Sequence, residues 1–129
     1  MTEYNMKLQG SLGNIPSVND FMNDVNHFAE TQGIFIQMLD ADMIFGKEHI
    51  VSAFEHAKRS IQQDEASTHS LKMEILLYAS GERQIKHAIE KMGVKKGKTV
   101  FVTIFLFPEE KKQSIDNIIN MFNQKFQIE

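Results

Sequence analysis

Apolar positions along this chain recur with two periods, and the switches between them mark out the elements. In IPSVNDFMNDVNHFAETQG, Phe21, Val25 and Phe28 return at steps of three and four. Ser17 and Asp20 form a capping box in front of them and Gly33 ends the run, which predicts a helix. KEHIVSAFEHAKRSIQQ repeats the pattern more cleanly, with Ile50, Ala53, Phe54, Ala57 and Ile61 on one face and Lys58, Arg59 and Gln62 opposite. Near the end, Ile115, Ile118, Ile119, Phe122 and Phe126 give a broad apolar stripe. That last helix is expected to start near Pro108, with Glu109 and Glu110 in a first turn whose positive end favours them. Strand patterns fall between these runs. MKLQGSL reads as a short first strand weakened by its glycine, and IFIQML, residues 34–39, as a buried one. Thr99 to Phe107, closed by Pro108, is apolar in both alternation classes, so it is expected to be central and covered on both faces.

Residues 70–93 resist the same treatment. SLKMEILLYAS fits a strand with Met73, Ile75 and Leu77 on one side, or a helix aligning Leu71, Ile75 and Tyr78. Its Leu, Met, Glu, Lys and Ala content favours the helix modestly, with Thr68 or Ser70 as cap. The following GERQIKHAIEKMG is predicted to be helical. Ser80 serves as its N-cap, Ile85, Ala88, Ile89 and Met92 as its buried stripe, and Gly93 as its C′ residue.

The elements sum to an α/β (or α+β) fold: a single small domain spanning 1–129, with a short, mostly antiparallel or mixed sheet packed by several helices. A length of 129 residues with 42% apolar and 24% charged residues suits one folded unit. DEASTH, residues 64–69, breaks the helical pattern without marking a domain boundary, since neither side alone carries a sufficient core. No internal repeat is visible. No apolar run reaches the length needed to span a membrane and MTEYNMKLQG lacks a signal-peptide pattern, so a cytoplasmic, non-membrane protein is the expectation. The absence of cysteine excludes disulfides, thiolate nucleophiles and cysteine metal clusters.

Charge changes the picture more than composition does. The formal net charge is −3, yet no Lys or Arg occurs between Leu8 and Gly46, where Asp20, Asp24, Glu30, Asp40 and Asp42 lie. Between Arg83 and Lys98 six cations stand against Glu90 alone, a local net of +5. That segment keeps a nucleic-acid partner open.

Candidate chemistry is sparse. His49 and His56 sit two helical turns apart, about 10 Å along the axis, too far to share one zinc ion. His87 falls on another helix, His69 in a loop, and no HExxH pair occurs, so no metal site is expected. Asp40 and Asp42 of the DAD segment offer a carboxylate pair, with solvated loop residues as the plainer reading. Ser80-Gly81 lacks the flanking GxSxG arrangement, and there is no GxGxxG or Walker pattern, so neither catalytic residues nor a cofactor are expected. What survives is phosphate binding by the start of the helix expected after Ser80, by Arg83 and by the lysines down to Lys98. The competing use of Arg83 is a salt bridge to Glu82 or the DAD acids. Met22, Phe28 and Phe126 either complete the core or add a partner-binding face.

IQMLDADMIFGKEHIVSAFEHAKRS followed by SLKMEILLYASGERQIKHAIEKMGVKKG resembles the kinase-associated regulatory subunit of the KEOPS/EKC complex, the PRPK-binding protein family, in its archaeal form. EILLYASGERQI is the most specific part. Asp40, Ala41, Asp42, Gly46, Glu48 and His49 also fall in the expected order. The resemblance implies a non-catalytic accessory subunit that binds and stimulates a small atypical kinase/ATPase. It further implies a role in bringing tRNA, through its single-stranded 3′ CCA end, to threonylcarbamoyl modification of adenosine 37. It assigns residues 70–79 to a helix joined to the next at Ser80 and Gly81. By position it makes Arg83 and Gln84 the leading tRNA-binding residues, supported by Ser80, Lys86 and Lys91, with Tyr78 available for stacking. For the kinase it points to apolar faces around Ile50, Phe54 and Ile61 and around Ile118, Phe122 and Phe126. Two alternatives remain: a kinase adaptor that barely touches RNA, and a small enzyme using Asp40, Asp42 and His49.

Overall fold

The computed structural model describes residues 3–66, 68 and 70–128, so His69 lies outside them. Among these residues the chain order is β1 (Tyr4–Ile15), α1 (Val18–Gln32), β2 (Phe35–Asp40), α2 (Lys47–Gln62), α3 (Leu71–Ser80), α4 (Ile85–Met92), β3 (Gly97–Pro108) and α5 (Ile115–Lys125). Short 3₁₀ turns at Ala41–Met43 and Glu109–Lys111 follow β2 and β3. The strands form one antiparallel sheet in the order β1-β3-β2, which makes the fold α+β.

β3 is central, as its doubly apolar pattern requires. Its alternate side chains feed two separate cores. Phe101, Phe105 and Phe107 pack with Val25 and Phe28 of α1 and Ile115, Ile118 and Phe122 of α5. Ile104 and Leu106 pack on the other face with α2, α3 and α4 through Ile50, Ala57, Ile75, Ala88 and Met92. Each such large side chain contributes roughly 1.5–3 kcal/mol on burial. Met22 and Phe126 are half-buried against the first core and Phe28 lies within it, so all three complete the core. The ring of Phe126 lies 5.6 Å from Phe21, 6.0 Å from Phe28 and 4.9 Å from Phe122.

Caps explain most boundaries. Ser17 Oγ accepts from the Asp20 N–H and opens α1, and Gly33 closes it in the left-handed region at φ 71°. Ser70 Oγ accepts from the Met73 N–H and opens α3, which settles the ambiguous segment as a helix.

Three expectations are corrected and one is refined. β1 extends well beyond residues 6–12, because its register with β3 is unbroken from Tyr4↔Pro108 to Ile15↔Gly97. Glu109 and Glu110 occupy the 3₁₀ turn and α5 begins only at Ile115, since Pro108 still belongs to β3. Gly93 closes α4 as expected, in an extended conformation with φ −65°. Glycine is required there by close approach: a Cβ would stand 2.6 Å from the Ile89 carbonyl oxygen. Finally, Ser80 does not cap α4. It is the last residue of α3, and Gln84 holds the N-cap position of α4 without a side-chain bond.

Candidate functional site

The Ser80-Gly81 break is where the candidate residues converge. α3 is apolar on most of its circumference, burying Ile75, Leu76, Leu77 and Ala79, and it stops where Gly81 turns left-handed at φ 72°. A helix end leaves carbonyl oxygens without partners. Here side chains from two neighbouring helices supply them. His49 of α2 donates from Nε2 to the Ala79 carbonyl at 2.8 Å, and Lys91 of α4 donates from Nζ to the Ser80 carbonyl at 2.7 Å. Ser80 Oγ donates to the Leu77 carbonyl and accepts from the Glu82 N–H, both at 3.1 Å. The junction is therefore a pinned corner, and it sets the direction in which α4 leaves.

Of the five RNA-binding candidates, three are presented together. Arg83, Gln84 and Lys86 are exposed at the start of α4. Arg83 makes no ion pair among the described residues, so its tethering role is not seen. Asp40 instead draws Lys95, at 3.7 Å. The other two candidates support the corner from within: Ser80 is only 3% exposed, and the Lys91 ammonium is committed to it.

The predicted stripe of α4 is also corrected. Ala88 and Met92 are buried, but Ile85 and Ile89 are 36% and 48% exposed. α4 packs through Ala88 and Met92, and the two isoleucines flanking Ala88 keep a third to a half of their surface open among the described residues. They form an apolar strip one helical turn long beside Arg83 and Lys86.

Tyr78, 45% exposed, stands on the last turn of α3 and lines a cleft of about 380 Å³ with Glu65, Leu77, Glu82 and Arg83. Its hydroxyl bonds that of Ser60, and its ring stacks on His56 with centroids 5.5 Å apart. Arg59 Nη2 donates to His56 Nδ1 at 3.1 Å. His56, Arg59 and Ser60 had no signal in the sequence beyond helical spacing, because the contact joins α2 to α3. Glu74 on the cleft wall accepts from the Thr68 N–H at 2.9 Å and from its hydroxyl at 2.7 Å, fixing the loop before α3. Lys72, half-buried and donating to Asn26 Oδ1 at 2.9 Å, is pulled below the usual lysine range by desolvation.

Of the groups considered for catalysis, Asp40 and His49 have structural employment, and Asp42 is exposed. Asp40 is buried, and its Oδ1 accepts from the Asp42 N–H at 3.0 Å. His49 Nδ1 accepts from the Phe45 N–H at 3.2 Å while Nε2 holds the Ala79 carbonyl, so both ring nitrogens are engaged. No group of three metal-ligating side chains occurs among the described residues.

Of the six side chains predicted to face a protein partner, five pack into or against the two cores. Ile50, Phe54, Ile118 and Phe122 are 0–6% exposed, in the two cores. Ile61 and Phe126 are half-buried. The stripes around Ile50 and Phe54 and around Ile118 and Phe122 pack against the sheet. The most exposed large apolar side chain among the described residues is Phe45, at 96%. Beside it a groove of about 570 Å³ runs between β1 and the start of α2, lined by Met6, Leu8, Ile44, Ile50 and Val102.

Comparison with known proteins adds two findings. A family model described as "Kinase binding protein CGI-121" matches residues 17–128. The regulatory protein Cgi121 of Methanocaldococcus jannaschii is 35% identical over 78 residues, which is 60% of this chain and 51% of that protein. The match thus spans about half the length of that curated relative. No helix among the described residues is long and apolar enough to cross a membrane.

Proposed function

The chain belongs to the CGI-121 family of kinase binding proteins, and from that premise we propose that it is a non-catalytic accessory subunit with two contacts. One is a small atypical kinase/ATPase of a KEOPS complex, which it binds and stimulates. The other is tRNA, which it helps recruit by the 3′ CCA end for threonylcarbamoyl modification of adenosine 37.

The observation that carries the RNA contact is the exposed strip Ile85–Ile89 beside exposed Arg83, Gln84 and Lys86. A single-stranded end is held by platforms under its bases, side chains on base edges and cations on its phosphates. The isoleucines and Tyr78 supply apolar surface, and Gln84 supplies a donor and an acceptor. Arg83, Lys86 and the uncapped N–H groups of α4 supply positive charge. The mechanism is positioning: the corner at Ser80-Gly81 holds α4 so that the bound end is fixed relative to the kinase.

Binding of tRNA with an intact and with a removed CCA end, across a salt series, tests this reading. The intact end is expected to bind tighter at every salt, and Arg83→Ala to remove that difference without changing the melting temperature. Equal, weak binding of both tRNAs would overturn the RNA contact.

A second reading, a kinase adaptor with little direct RNA contact, is favoured by Glu65, Glu74 and Glu82 lining the cleft beside Arg83. Three carboxylates there lower the attraction for phosphates. In that case Arg83→Ala leaves tRNA retention by the kinase assembly unchanged.

A further inference from the structure

Phe45 lies between the 3₁₀ turn after β2 and the first residue of α2, and its exposure is not that of a slack loop. Gly46 takes φ +133°, a conformation L side chains rarely adopt, and so turns the chain sharply next to it. The Phe45 N–H is bound by His49 Nδ1, and the two rings stack with centroids 5.5 Å apart and planes 24° from parallel. His49 is in turn anchored to the end of α3 through Ala79. The backbone that carries the ring is thus fixed by the Gly46 turn and the bond to His49, which presents the ring outward and lowers the ordering cost of inserting it into another surface.

Nor is it an isolated exposed residue. Ile44, its neighbour, lines the groove that Met6, Leu8 and Val102 continue across the sheet, and Met43 is 37% exposed. Aromatic anchors next to apolar grooves are the side chains that dominate protein interfaces. The charge nearby selects the class of partner. Asp42 and Glu48 are exposed on either side of Phe45, while Lys7, paired with Asp116, and Lys47 line the groove, so the charge here is mixed and close to balanced, unlike the strongly basic segment 83–98. A phosphate backbone is not favoured by such a face, whereas a mostly apolar protein surface with both signs of charge at its rim is.

We propose that Phe45 is the anchor by which the kinase partner docks, its ring entering a pocket on the kinase while the adjoining groove receives an apolar segment. The proposal rests on the kinase-binding reading above and gives that contact a surface distinct from the RNA-facing side of α4.

Calorimetric titration of the purified protein into the purified kinase subunit tests it, with wild type beside Phe45→Ala and Phe45→Leu. The expected result is a loss of at least about 30-fold in affinity for F45A, the size of a buried aromatic anchor. F45L is expected to fall between, and all three should share one melting temperature because the ring packs on little in the free protein. Wild-type affinity in F45A, with wild type binding normally, would overturn the anchor alone. No binding by wild type would overturn the kinase reading beneath it. A wild-type dimer that F45A dissociates, with kinase affinity unaffected, would give this face to a second copy of the chain and overturn the proposal as well.

Discussion

α4 and α5 are both short amphipathic helices with isoleucine-rich stripes, yet the fold treats them in opposite ways. α5 turns Ile115, Ile118 and Phe122 into the sheet, where the Phe122 ring meets Phe28, Phe105 and Phe126 at 4.9–5.8 Å. α4 buries only Ala88 and Met92 and leaves Ile85 and Ile89 outside. The α4 stripe was expected to be buried whole, and the family resemblance had pointed to the α5 face for a partner. Periodicity reports that a helix has an apolar side, and says nothing of whether the chain itself has anything left to cover it. One face of the sheet needs α5 to close its core. The other is closed mostly by α2 and α3, and α4 completes it with Ala88 and Met92 alone, leaving Ile85 and Ile89 partly outside.

The largest effect should come from the α5 side. Phe122→Ala removes a fully buried ring, and a loss of about 3–5 kcal/mol in a denaturant melt is expected. A loss under 1 kcal/mol would mean the α5 stripe is not core. Next comes the corner that aims α4. His49→Ala strips the Ala79 carbonyl of its donor and should cost about 1–3 kcal/mol. Hydrogen exchange should quicken at the end of α3 and the start of α4 more than in β3. The smallest effect is at Lys72. Its folded pKa is lowered, so the unfolded chain holds the proton more tightly and stability rises with pH between the lowered value and 10.5. Lys72→Met should flatten that alkaline slope relative to wild type in parallel melts.

The contrast also shows what was legible beforehand. α1, α2 and β3 stood out because each meets one boundary of the core: a single stripe for the helices, both faces for the central strand. The period of α3 was ambiguous, because burial on most of its circumference erases the periodic signal; composition, the Ser70 cap and the family resemblance favoured the helix that forms. Ser80 looked like an N-cap because serine before a helix usually is one. Instead the left-handed Gly81 ended α3 first and turned the hydroxyl to Leu77 and Glu82. The grouping of Arg83, Gln84 and Lys86 was visible as a run in sequence. The partners that organise it were not, since His49 reaches Ala79 across 30 residues and Lys91 reaches Ser80 from the far end of α4. Phe45 carried no pattern at all, because a lone aromatic in a loop has no period to betray it.

The central claim is that the uncovered strip of α4 is a binding surface rather than unfinished packing. The double variant Ile85→Ser/Ile89→Ser tests it most directly, measured by melting and by binding to tRNA with and without its CCA end. The account predicts a stability change of no more than about 0.5 kcal/mol per site, typical of surface positions, together with loss of the CCA-dependent part of binding. Unchanged CCA-dependent binding would contradict it, and so would a stability loss of the size expected for Phe122→Ala.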